Sequence, residues 1–401
     1  MRIGIDANCW ANKRGYGRYT RELVSTVLEI DTSNSYTLFI DAQTERQCAG
    51  DLPSRARRVI VPTRSAATDA AAADGHRSLS DLWAMSRAVS SRSAAFDLFY
   101  FPTVYTFFPV PRRLKPLVTI HDTIAERRPA LVFPHWRNRL FWTLKVGWAV
   151  RQASLILTVS DTAKSAVRFH FGLDDCRVRV VSDAVSPDFR PTEDTPERRS
   201  LLAAVGIEPG QRFLLYVGGI SPHKSIETLV DAYGKLAQED AYRDLRLVLI
   251  GDYKRDVFFS SYESLRQRLG ASGVDASKVI FTGFVPDADL RHWYSAAQAL
   301  VLPSLDEGFG LPAIEAMACG TPVVASRGGA LPEVVGDAGC LFEPRDVSAL
   351  ATSLKALLSD DSLRQALSSK GLARAAQFTW RASARTLIDA FEEVGTQSQS
   401  A

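Results

Sequence analysis

The sequence predicts an α/β protein built from two successive parallel sheets, each covered by helices. Short β-branched runs alternate with longer amphipathic stretches along most of the chain, which is typical of parallel sheets. At 401 residues, of which 46% are hydrophobic, the chain fits two domains of roughly 150–200 residues each. The expected strands are 2–6, 35–40, 58–61, 97–101, 117–120, 155–159 and 177–181, then 213–217, 245–250, 278–281, 299–302, 322–325 and 340–342.

A break in this alternation predicts the domain organisation. The stretch SPDFRPTEDTPERRS at 186–200 has three prolines and mixed charges, as interdomain linkers often do. Two similar halves joined by one hinge predict a cleft where ligands meet the carboxyl ends of strands. The expected parts are a first domain at 1–188, a linker at 189–210, a second domain at 211–376, a helix at 377–394 packing back on the first domain, a disordered tail at 395–401, and a mobile Ala-rich loop at 63–80.

The charge is unevenly distributed. Residues 1–200 contain 29 Lys+Arg and 21 Asp+Glu, a net of +8, whereas the remainder has a net of −5. A basic first half suits an anionic partner such as a membrane surface, and scatter among solvated charges explains it equally well. No export signal and no run of 18 apolar residues is present, and the five cysteines lie far apart. We therefore expect reduced thiols and a cytoplasmic location, with the inner face of the membrane as a further option.

The segment DEGFGLPAIEAMACGTPVVAS, at 306–326, contains a glycine-rich loop between an expected strand and an expected helix. The strand before it ends at Pro303, and Pro312 suits the first turn of a helix. The loop between them presents backbone N–H groups at a helix N-terminus, where phosphate is attracted. Gly308 and Gly310 leave room for close approach of a ligand.

Two glutamates, Glu307 and Glu315, flank this loop. Carboxylates beside a bound diphosphate would repel it, so we expect them to accept hydrogen bonds from neutral hydroxyls of a sugar and a ribose. The alternative makes Glu307 a helix-dipole partner and Glu315 an exposed first-turn residue. In GGISPHKS, at 218–225, a strand ends in two glycines and Lys224 is expected to begin a helix. That lysine supplies a point charge for a leaving diphosphate, unless it is only a solvated surface residue.

Several ordered motifs carry a resemblance to a known family. EGFGLPAIEAMACGTPVVAS, with the GG and LPEVVGDAG of 328–339, is similar to the donor-site motif of the retaining glycosyltransferases of family four. GIDAN…RGYGRYTREL, VTIHDT, LILTVSDTAKSAV and YVGGISPHKSIETLVDAY resemble further parts of that family, over nearly the whole chain. The resemblance implies the GT-B fold, with two Rossmann-like domains facing each other across a cleft.

The resemblance also implies roles for individual residues of the second domain. Glu307 would hold hydroxyls of the transferred sugar, Glu315 the ribose and Lys224 the diphosphate. Relatives often have an arginine where this chain has Gly219, and His223 either replaces part of that contact or takes no part. The backbone groups implied to meet the donor are those of Gly308, Phe309, Gly310 and Leu311, and the residues implied to lie beside the base are Gly283, Phe284 and Val285.

In the first domain, the resemblance implies that the backbone of Gly17 approaches the phosphates or the reacting carbon. His121 would contact the donor sugar near its C6 hydroxyl, while Asp122 orients its loop or caps the next turn. The residues assigned to the acceptor side are Arg14, Tyr16, Arg18 and Asp122, and the first three either face the acceptor or are plain exposed residues.

The pair Asp287 and Asp289 has a spacing that metal-dependent transferases use. Because Asp287 directly precedes the periodic LRHWYSAA, we expect it to be a helix N-cap with Asp289 in the first turn. No metal and no other cofactor is therefore expected.

The stretch FPHWRNRLFWTLKVGWAVRQ, at 133–152, has two interpretations. Trp136, Leu140, Leu144 and Trp148 recur at intervals of four, with Arg137, Arg139, Lys145 and Arg151 interleaved. Such a helix either rests on an anionic membrane or packs its aromatic side chains against the first sheet.

The expected function is transfer of a sugar from a nucleoside diphosphate to a hydroxyl of a glycan or lipid-linked acceptor, with retained anomeric configuration. The GRYTREL and HDT segments resemble bacterial polysaccharide mannosyltransferases and favour GDP-mannose, with UDP-linked glucose or N-acetylglucosamine as competing donors. Glu307 would position the sugar rather than attack it, and no nucleic-acid partner is expected. The alternatives are a nucleotide-sugar epimerase of related fold and a nucleotide-binding module without turnover.

Overall fold

The structure is a computed structural model that describes residues 1–64, 78–133, 135–252, 262–271 and 274–396. The chain divides into two compact units. The first unit is Met1–Ala184 together with Thr379–Ala401, and the second is Val185–Phe378. Most of the expected mobile loop, at 65–77, lies outside the described residues.

Seven parallel strands form the sheet of the first unit, within the described ranges. Their spatial order is β3-β2-β1-β4-β5-β6-β7, and every neighbouring pair is parallel. The strands are β1 (Arg2–Asp6), β2 (Ser35–Asp41), β3 (Arg57–Val61), β4 (Leu98–Phe101), β5 (Pro116–Thr119), β6 (Leu155–Thr158) and β7 (Val178–Val180). β4, β5 and β6 are buried along their whole length, as expected for a parallel sheet covered on both faces.

Helices cover this sheet. They are α1 (Gly15–Ile30), α2 (Ala42–Cys48), α3 (Leu79–Ser90), α4 (Ile124–Arg127), α5 (Pro129–Val132), α6 (Trp136–Gln152) and α7 (Asp161–Phe171). Short 3-10 turns lie at Ser93–Ala95, Val104–Thr106, Arg112–Leu114 and Asp175–Arg177. The side chain of Ser160 caps α7 through the N–H of Ala163, and Gly172 ends that helix in the left-handed conformation.

The second unit repeats the architecture. Within the described residues its sheet has the order β10-β9-β8-β11-β12-β13, again with parallel neighbours. The strands are β8 (Phe213–Val217), β9 (Arg246–Ile250), β10 (Val279–Gly283), β11 (Ala299–Leu302), β12 (Val323–Ser326) and β13 (Gly339–Phe342). The helices are α8 (Pro196–Ala203), α9 (Ile226–Ala237), α10 (Tyr262–Ala271), α11 (Asp287–Ala296), α12 (Leu311–Ala318), α13 (Leu331–Val335), α14 (Val347–Ser359) and α15 (Asp361–Ala375), with 3-10 turns at Pro222–Lys224, Asp240–Tyr242 and Ala276–Lys278.

The last helix, α16 (Trp380–Thr396), belongs to the first unit. Its Phe391 is fully buried and contacts Tyr36 and Tyr100 edge-on or tilted. The hydroxyl of Ser383 donates to the carbonyl oxygen of Ser182 at 2.7 Å. The first unit is therefore completed by a segment almost 200 residues beyond its main part.

Both sheets have a point where the chain changes direction. The first strand of each sheet, β1 or β8, lies beside the fourth, β4 or β11. The loops that follow those two strands begin side by side at the carboxyl edge of the sheet. In proteins with such sheets, ligands bind at this place. The fold thus brings together side chains that lie far apart in sequence.

The strand predictions are confirmed, each lying within two residues of the observed bounds. The expected linker at 189–210 differs: these residues belong to the second unit, and α8 forms inside them because Thr195 caps its N-terminus and Pro196 opens it. α16 extends through Thr396, two residues into the segment expected to be disordered, and 397–401 lie outside the described residues. Among the helices described, none is both long enough and apolar enough to cross a bilayer.

Candidate functional site

The centre of the second unit's candidate site is an ion pair between Lys224 and Glu307. Lys224 follows β8 and Glu307 follows β11, so the pair forms where these adjacent strands end. Lys224 Nζ lies 2.7 Å from Glu307 Oε1 and 2.9 Å from Oε2. Ser304 Oγ donates to Oε1 at 2.7 Å. The sequence predicted a role for each charged residue but did not predict that they pair.

The pair is largely buried, with the side chains of Lys224 and Glu307 only 21% and 12% exposed. Burial by itself raises the pKa of the Glu307 carboxyl, but the Lys224 charge and the hydrogen bonds from Lys224 and Ser304 outweigh it and lower the pKa below its usual value. Glu307 is therefore ionised at neutral pH. A carboxylate in this state accepts hydrogen bonds and gives none.

Lys224 is held by an unusual backbone. It ends the 3-10 turn Pro222–Lys224 rather than beginning a helix as predicted, and α9 starts only at Ile226. Between them Ser225 is buried in the left-handed conformation, with φ of +50°. A non-glycine residue in this region carries strain, which is common at functional sites. The N–H of Leu305 also donates to the carbonyl oxygen of His223 at 2.8 Å, joining the two loops.

Glycines pack directly beneath the loop that contains Glu307. Gly329 has φ of +60°, and a Cβ there would lie 2.7 Å from Asp306 Oδ1 and closer still to the backbone of Glu307. The N–H of Ala330 donates to the Glu307 carbonyl oxygen at 2.9 Å. The GG segment of the sequence motif thus packs against the Glu307 backbone, where a side chain would not fit.

The predicted phosphate-facing segment leads into α12. Gly310 precedes this helix with φ of +101°, a value that favours glycine, and a Cβ there would lie 2.7 Å from Leu331. Phe309 has a buried side chain that packs edge-on against Phe378 at 5.5 Å. With these anchors, Gly308 and Leu311 lie half-buried at the N-terminus of α12, the end of a helix that attracts anions.

Glu315 lies in the interior of the unit, which excludes the alternative of an exposed first-turn residue. It is only 2% exposed, and its Oε2 accepts a hydrogen bond from the Tyr294 hydroxyl at 2.7 Å. Tyr294 itself is fully buried on α11. The ribose contact implied for Glu315 stays a prediction.

His223 has a neutral ring at physiological pH. Burial, with the neighbouring Lys224 charge, lowers its pKa to about 4, although Glu307 acts in the opposite direction. Its Nδ1 lies 3.2 Å from Ser221 Oγ. The contact with a diphosphate that was left open for His223 stays a prediction. At Gly219, the carbonyl oxygen accepts the Tyr216 hydroxyl at 2.7 Å.

The residues expected near the base follow β10. Gly283 ends this strand with φ of +77°, and its carbonyl oxygen accepts the N–H of Gly251 at 3.1 Å. Phe284 is an exposed large apolar side chain at 47%, and Val285 is half-buried. An exposed aromatic ring at the carboxyl edge of the sheet offers a stacking surface.

The Asp287 and Asp289 pair opens a helix, but the predicted cap was wrong by one residue. Pro286 is the N-cap of α11, so both aspartates lie in the first turn. Their negative charges interact favourably with the positive end of the helix dipole. Within the residues that the structure describes, no group of three or more His, Cys, Asp and Glu side chains is placed to hold a metal ion.

In the first unit, Gly17 serves close packing. Helix α1 begins at Gly15, so Gly17 lies in its first turn. A Cβ at position 17 would lie 2.8 Å from Asn12 Cβ and closer still to the Asn12 carbonyl oxygen. Glycine is required because the loop after β1 folds back onto the helix. The contact with a donor that the resemblance implied stays a prediction.

Tyr16 belongs to an aromatic series. Its ring stacks on Tyr105 at 4.9 Å, and Tyr105 contacts Trp142 of α6 at 5.1 Å. Asn12 Nδ2 donates to the Tyr16 hydroxyl at 2.8 Å. Burial raises the pKa of the Tyr16 hydroxyl well above its usual value. Tyr16, in the first turn of α1, is thus held in place by Tyr105 and Asn12.

His121 is half-buried, and its ring is neutral at physiological pH. Its Nε2 lies 3.2 Å from the Pro102 carbonyl oxygen, and Tyr19 meets its ring edge-on at 4.8 Å. Burial lowers the pKa of His121 to about 4. Next to it, Asp122 Oδ1 accepts the N–H of Ile124 at 2.9 Å, which orients the loop as expected.

The two arginines that were predicted to face the acceptor, Arg14 and Arg18, are half-buried rather than plainly exposed, and their contact with an acceptor stays a prediction. The N–H of Arg14 donates to Asn12 Oδ1 at 2.8 Å. The charge of Arg18 lowers the pKa of Asp183, but the larger effect of burial raises that pKa to about 8. Asp183 is 5% exposed, and its Oδ1 has no hydrogen-bond partner among the described residues.

Sequence reasoning missed four residues of these sites: Ser304, Tyr294, Tyr105 and Asp183. The contact of Tyr294 with Glu315 joins two helices across 21 residues, and no local pattern marks it. Ser304 follows directly on a strand end that had been recognised. A polar residue at that place was the one available signal, because ligand-facing groups follow strand ends in such sheets.

Comparisons with known proteins show the family to which the chain belongs. A family model described as "Glycosyl transferases group 1" matches residues 211–360. The O-antigen chain mannosyltransferase B of Escherichia coli is 36% identical over 292 residues, covering 71% of this chain and 72% of that protein. The serotype-specific mannosyltransferase WbdA of Escherichia coli is 28% identical over 421 residues, covering all of this chain but 49% of that protein.

Solved structures show the same fold. Sucrose-phosphate synthase from Thermosynechococcus elongatus has a TM-score of 0.73 at 20% identity, covering 99% of this chain and 100% of that one. HepE from Anabaena, solved with UDP and glucose, has a TM-score of 0.72 at 19% identity, covering 98% and 99%. The fold is therefore GT-B, with two Rossmann-like units, and the chain belongs to the group 1 glycosyl transferases.

Proposed function

We propose that this protein transfers mannose from GDP-mannose to a hydroxyl of a glycan or lipid-linked acceptor during synthesis of a surface polysaccharide. The observation that carries the proposal is the buried Lys224–Glu307 pair at the switch point of the second sheet, next to the N-terminus of α12. Support for mannose comes from the Escherichia coli mannosyltransferase B, which is 36% identical. The free cysteines, five in all, support a cytoplasmic location.

In this proposal the donor diphosphate binds between Lys224 and the N–H groups that open α12. Both carry positive charge or partial charge, and both are fixed before the reaction begins. As the bond to the sugar breaks, negative charge develops on the diphosphate, and these groups stabilise it. One preorganised donor of this kind is typically worth about 3–4 kcal/mol of the activation barrier.

Glu307 positions the sugar in the proposed reaction. Its carboxylate is ionised and held by Lys224 and Ser304, and it accepts hydrogen bonds from sugar hydroxyls. We propose that the departing phosphate accepts the proton of the acceptor hydroxyl on the same face of the sugar, so the anomeric configuration is retained. No enzyme carboxylate forms a covalent intermediate, and no divalent cation is needed.

A donor panel tests this proposal. Purified protein is incubated with GDP-mannose, UDP-glucose and UDP-N-acetylglucosamine, and thermal shift and slow donor hydrolysis are recorded for each. A ligand that binds the folded state selectively raises the melting temperature according to its concentration over Kd. We expect stabilisation and hydrolysis with GDP-mannose above the other two. Selectivity for a uridine donor would reject mannose transfer from GDP-mannose.

The stereochemical and metal proposals have separate tests. NMR of the product's anomeric proton should show the configuration of the donor, and inversion would overturn the retaining mechanism. Activity should survive EDTA. Its loss with EDTA and recovery with one added divalent ion would overturn the metal-independent proposal.

A further inference from the structure

Helix α6 has an apolar stripe that is exposed on the surface of the first unit. Its members are Trp136, Leu140, Phe141, Leu144 and Trp148, all between 47% and 71% exposed. The four residues at intervals of four are all in this set, so the interpretation that they pack against the first sheet is wrong. The residues of α6 that do pack inward are Asn138, Trp142, Val146, Ala149 and Val150. The stripe runs about 18 Å from Trp136 to Trp148 at 1.5 Å per residue.

The charge around the stripe has one sign. Helix α6 contains four cations and no Asp or Glu. Arg137, Arg139 and Arg151 are exposed beside the apolar stripe. Lys145 is instead directed inward, with its Nζ 4.5 Å from the Trp142 ring and 3.1 Å from the Tyr105 carbonyl oxygen. Three outward cations beside exposed tryptophans fit a surface that is both apolar and anionic.

We infer that α6 lies flat on the surface of an anionic bilayer. Tryptophan side chains favour the head-group region, apolar side chains between them enter the acyl boundary, and arginines contact lipid phosphates. A bilayer fits better than a protein groove because the cationic helix attracts anionic lipid over its whole length. This inference goes beyond the proposed transfer reaction and does not depend on it.

The inward side of α6 connects the membrane surface to the candidate acceptor side. Trp142 contacts Tyr105, and Tyr105 stacks on Tyr16 at the start of α1. Trp142 Nε1 also donates to Glu126 Oε1 at 2.7 Å. A membrane-bound α6 therefore holds the first turn of α1 at a fixed depth from the lipid, which suits an acceptor whose lipid part stays in the bilayer.

Vesicle sedimentation of the full chain tests the inference. The probes are phosphatidylcholine vesicles with and without phosphatidylglycerol, in the absence of any nucleotide sugar. We expect binding to the anionic vesicles, weakened by salt, and at least about tenfold weaker binding to neutral ones. Failure to bind anionic vesicles at low salt would overturn the inference.

A matched pair of tryptophan variants tests the stripe itself. Trp148→Ser, on α6, should weaken vesicle binding at least about fivefold, since a buried aromatic at the interface is lost. Trp83→Ser, on α3, removes a tryptophan of similar exposure from the same unit and should change binding less than twofold. Equal losses in the two variants would contradict the assignment to α6.

Two further measurements separate charge from self-association. Arg137→Gln with Arg151→Gln should weaken binding to anionic vesicles by about tenfold or more and leave binding to neutral vesicles unchanged. In sedimentation velocity without lipid, we expect the wild-type protein to form no dimer through the stripe. A dimer of this kind would grow with protein concentration and would be lost in Trp148→Ser. Such a dimer would assign the stripe to a second copy of the chain and overturn the membrane inference. Donor hydrolysis without vesicles should be the same in Trp148→Ser and wild type, so the membrane inference and the proposed reaction fail independently.

Discussion

At the residue scale, the second unit holds two opposite charges where a ligand with both hydroxyls and phosphates is proposed to bind. Taking one member of a buried pair away leaves the other without compensation, which typically costs about 3–5 kcal/mol. Lys224 thus keeps Glu307 ionised, and in the proposed reaction it also supplies charge to the diphosphate. A single substitution at either position changes both stability and chemistry, so conservative substitutions are the informative ones.

Glu307→Gln should lower kcat about a hundredfold without weakening the binding of GDP. The amide retains the shape and the hydrogen bond from Ser304 but loses the charge that orders the sugar, whereas the proposed diphosphate contacts remain. Turnover and calorimetric GDP binding measure the two effects. Glu343→Gln, an exposed glutamate of the same unit, is the matched control. Wild-type turnover in Glu307→Gln would show that the carboxylate does not position the sugar.

Asp183→Asn should change how stability depends on pH. Burial raises the folded-state pKa of Asp183 to about 8, far above the value of about 3.9 in the unfolded chain. Between these values the folded protein holds a proton that the unfolded chain lacks, so wild-type stability falls as pH rises. The asparagine of the variant does not titrate, so the variant lacks this dependence of stability on pH. Its stability relative to wild type should therefore increase by about 3 kcal/mol from pH 5 to pH 7, because each of the two pH units contributes about 1.36 kcal/mol.

Urea unfolding of both proteins at several pH values measures this difference. A constant offset between the two proteins carries no information, because the substitution also changes packing. Only the change of the offset with pH reports the pKa. Parallel stability profiles would contradict a raised pKa for Asp183.

At the element scale, glycines decide how closely loops approach helices and strands. Gly17 faces the Asn12 backbone, and Gly329 lies under Glu307. Glycine is ordinarily unfavourable inside a helix by roughly 0.5–1 kcal/mol relative to alanine. Gly17 is kept where that penalty applies because the loop after β1 occupies the space that a side chain would need.

Gly17→Ala should lower the unfolding free energy of the first unit by about 2–3 kcal/mol, because the new methyl group overlaps the Asn12 carbonyl. Gly147→Ala, in α6, is the control: its nearest neighbour is Arg151 Nη1 at 3.8 Å, so the methyl group fits. That variant should gain about 0.5–1 kcal/mol from helix propensity. Denaturant unfolding followed by circular dichroism distinguishes them, and a stabilised Gly17→Ala would disprove the close approach.

At the scale of the whole molecule, the first unit depends on the C-terminal helix. α16 brings Phe391 against Tyr36 and Tyr100, and Lys115 Nζ donates to the Val394 carbonyl oxygen at 2.9 Å. Arg179 and Glu393 add an ion pair. The residues of the second unit must therefore be synthesised before the first unit can bury its last helix.

Phe391→Ala should destabilise the first unit by about 3–5 kcal/mol, because a fully buried aromatic ring leaves a cavity. Phe169→Ala, which removes a ring that is 90% exposed on α7, should stay within about 0.5 kcal/mol of wild type. Limited proteolysis of the two variants, with the cut sites identified by mass spectrometry, shows which unit opens. Earlier cleavage within 185–378 than within 1–184 would contradict the expectation.

The sequence by itself determined the two-sheet architecture, every described strand to within two residues, and the glycine-rich loop before α12. These features are local: alternation, proline and glycine positions, and motif spacing are read along the chain. Glu307 and Lys224 were singled out for the same reason, because each follows a recognisable strand end.

Only the tertiary structure decided which of these residues meet. Lys224 and Glu307 are 83 residues apart, and they pair because β8 and β11 are neighbours at the switch point of the sheet. Tyr294 reaches Glu315 across two helices. The direction in which Trp136, Leu140, Leu144 and Trp148 point was open in the sequence, since a period of four fits a buried face and an exposed one equally. Packing of Trp142 against Tyr105 fixed the rotation of α6 and left that stripe outside.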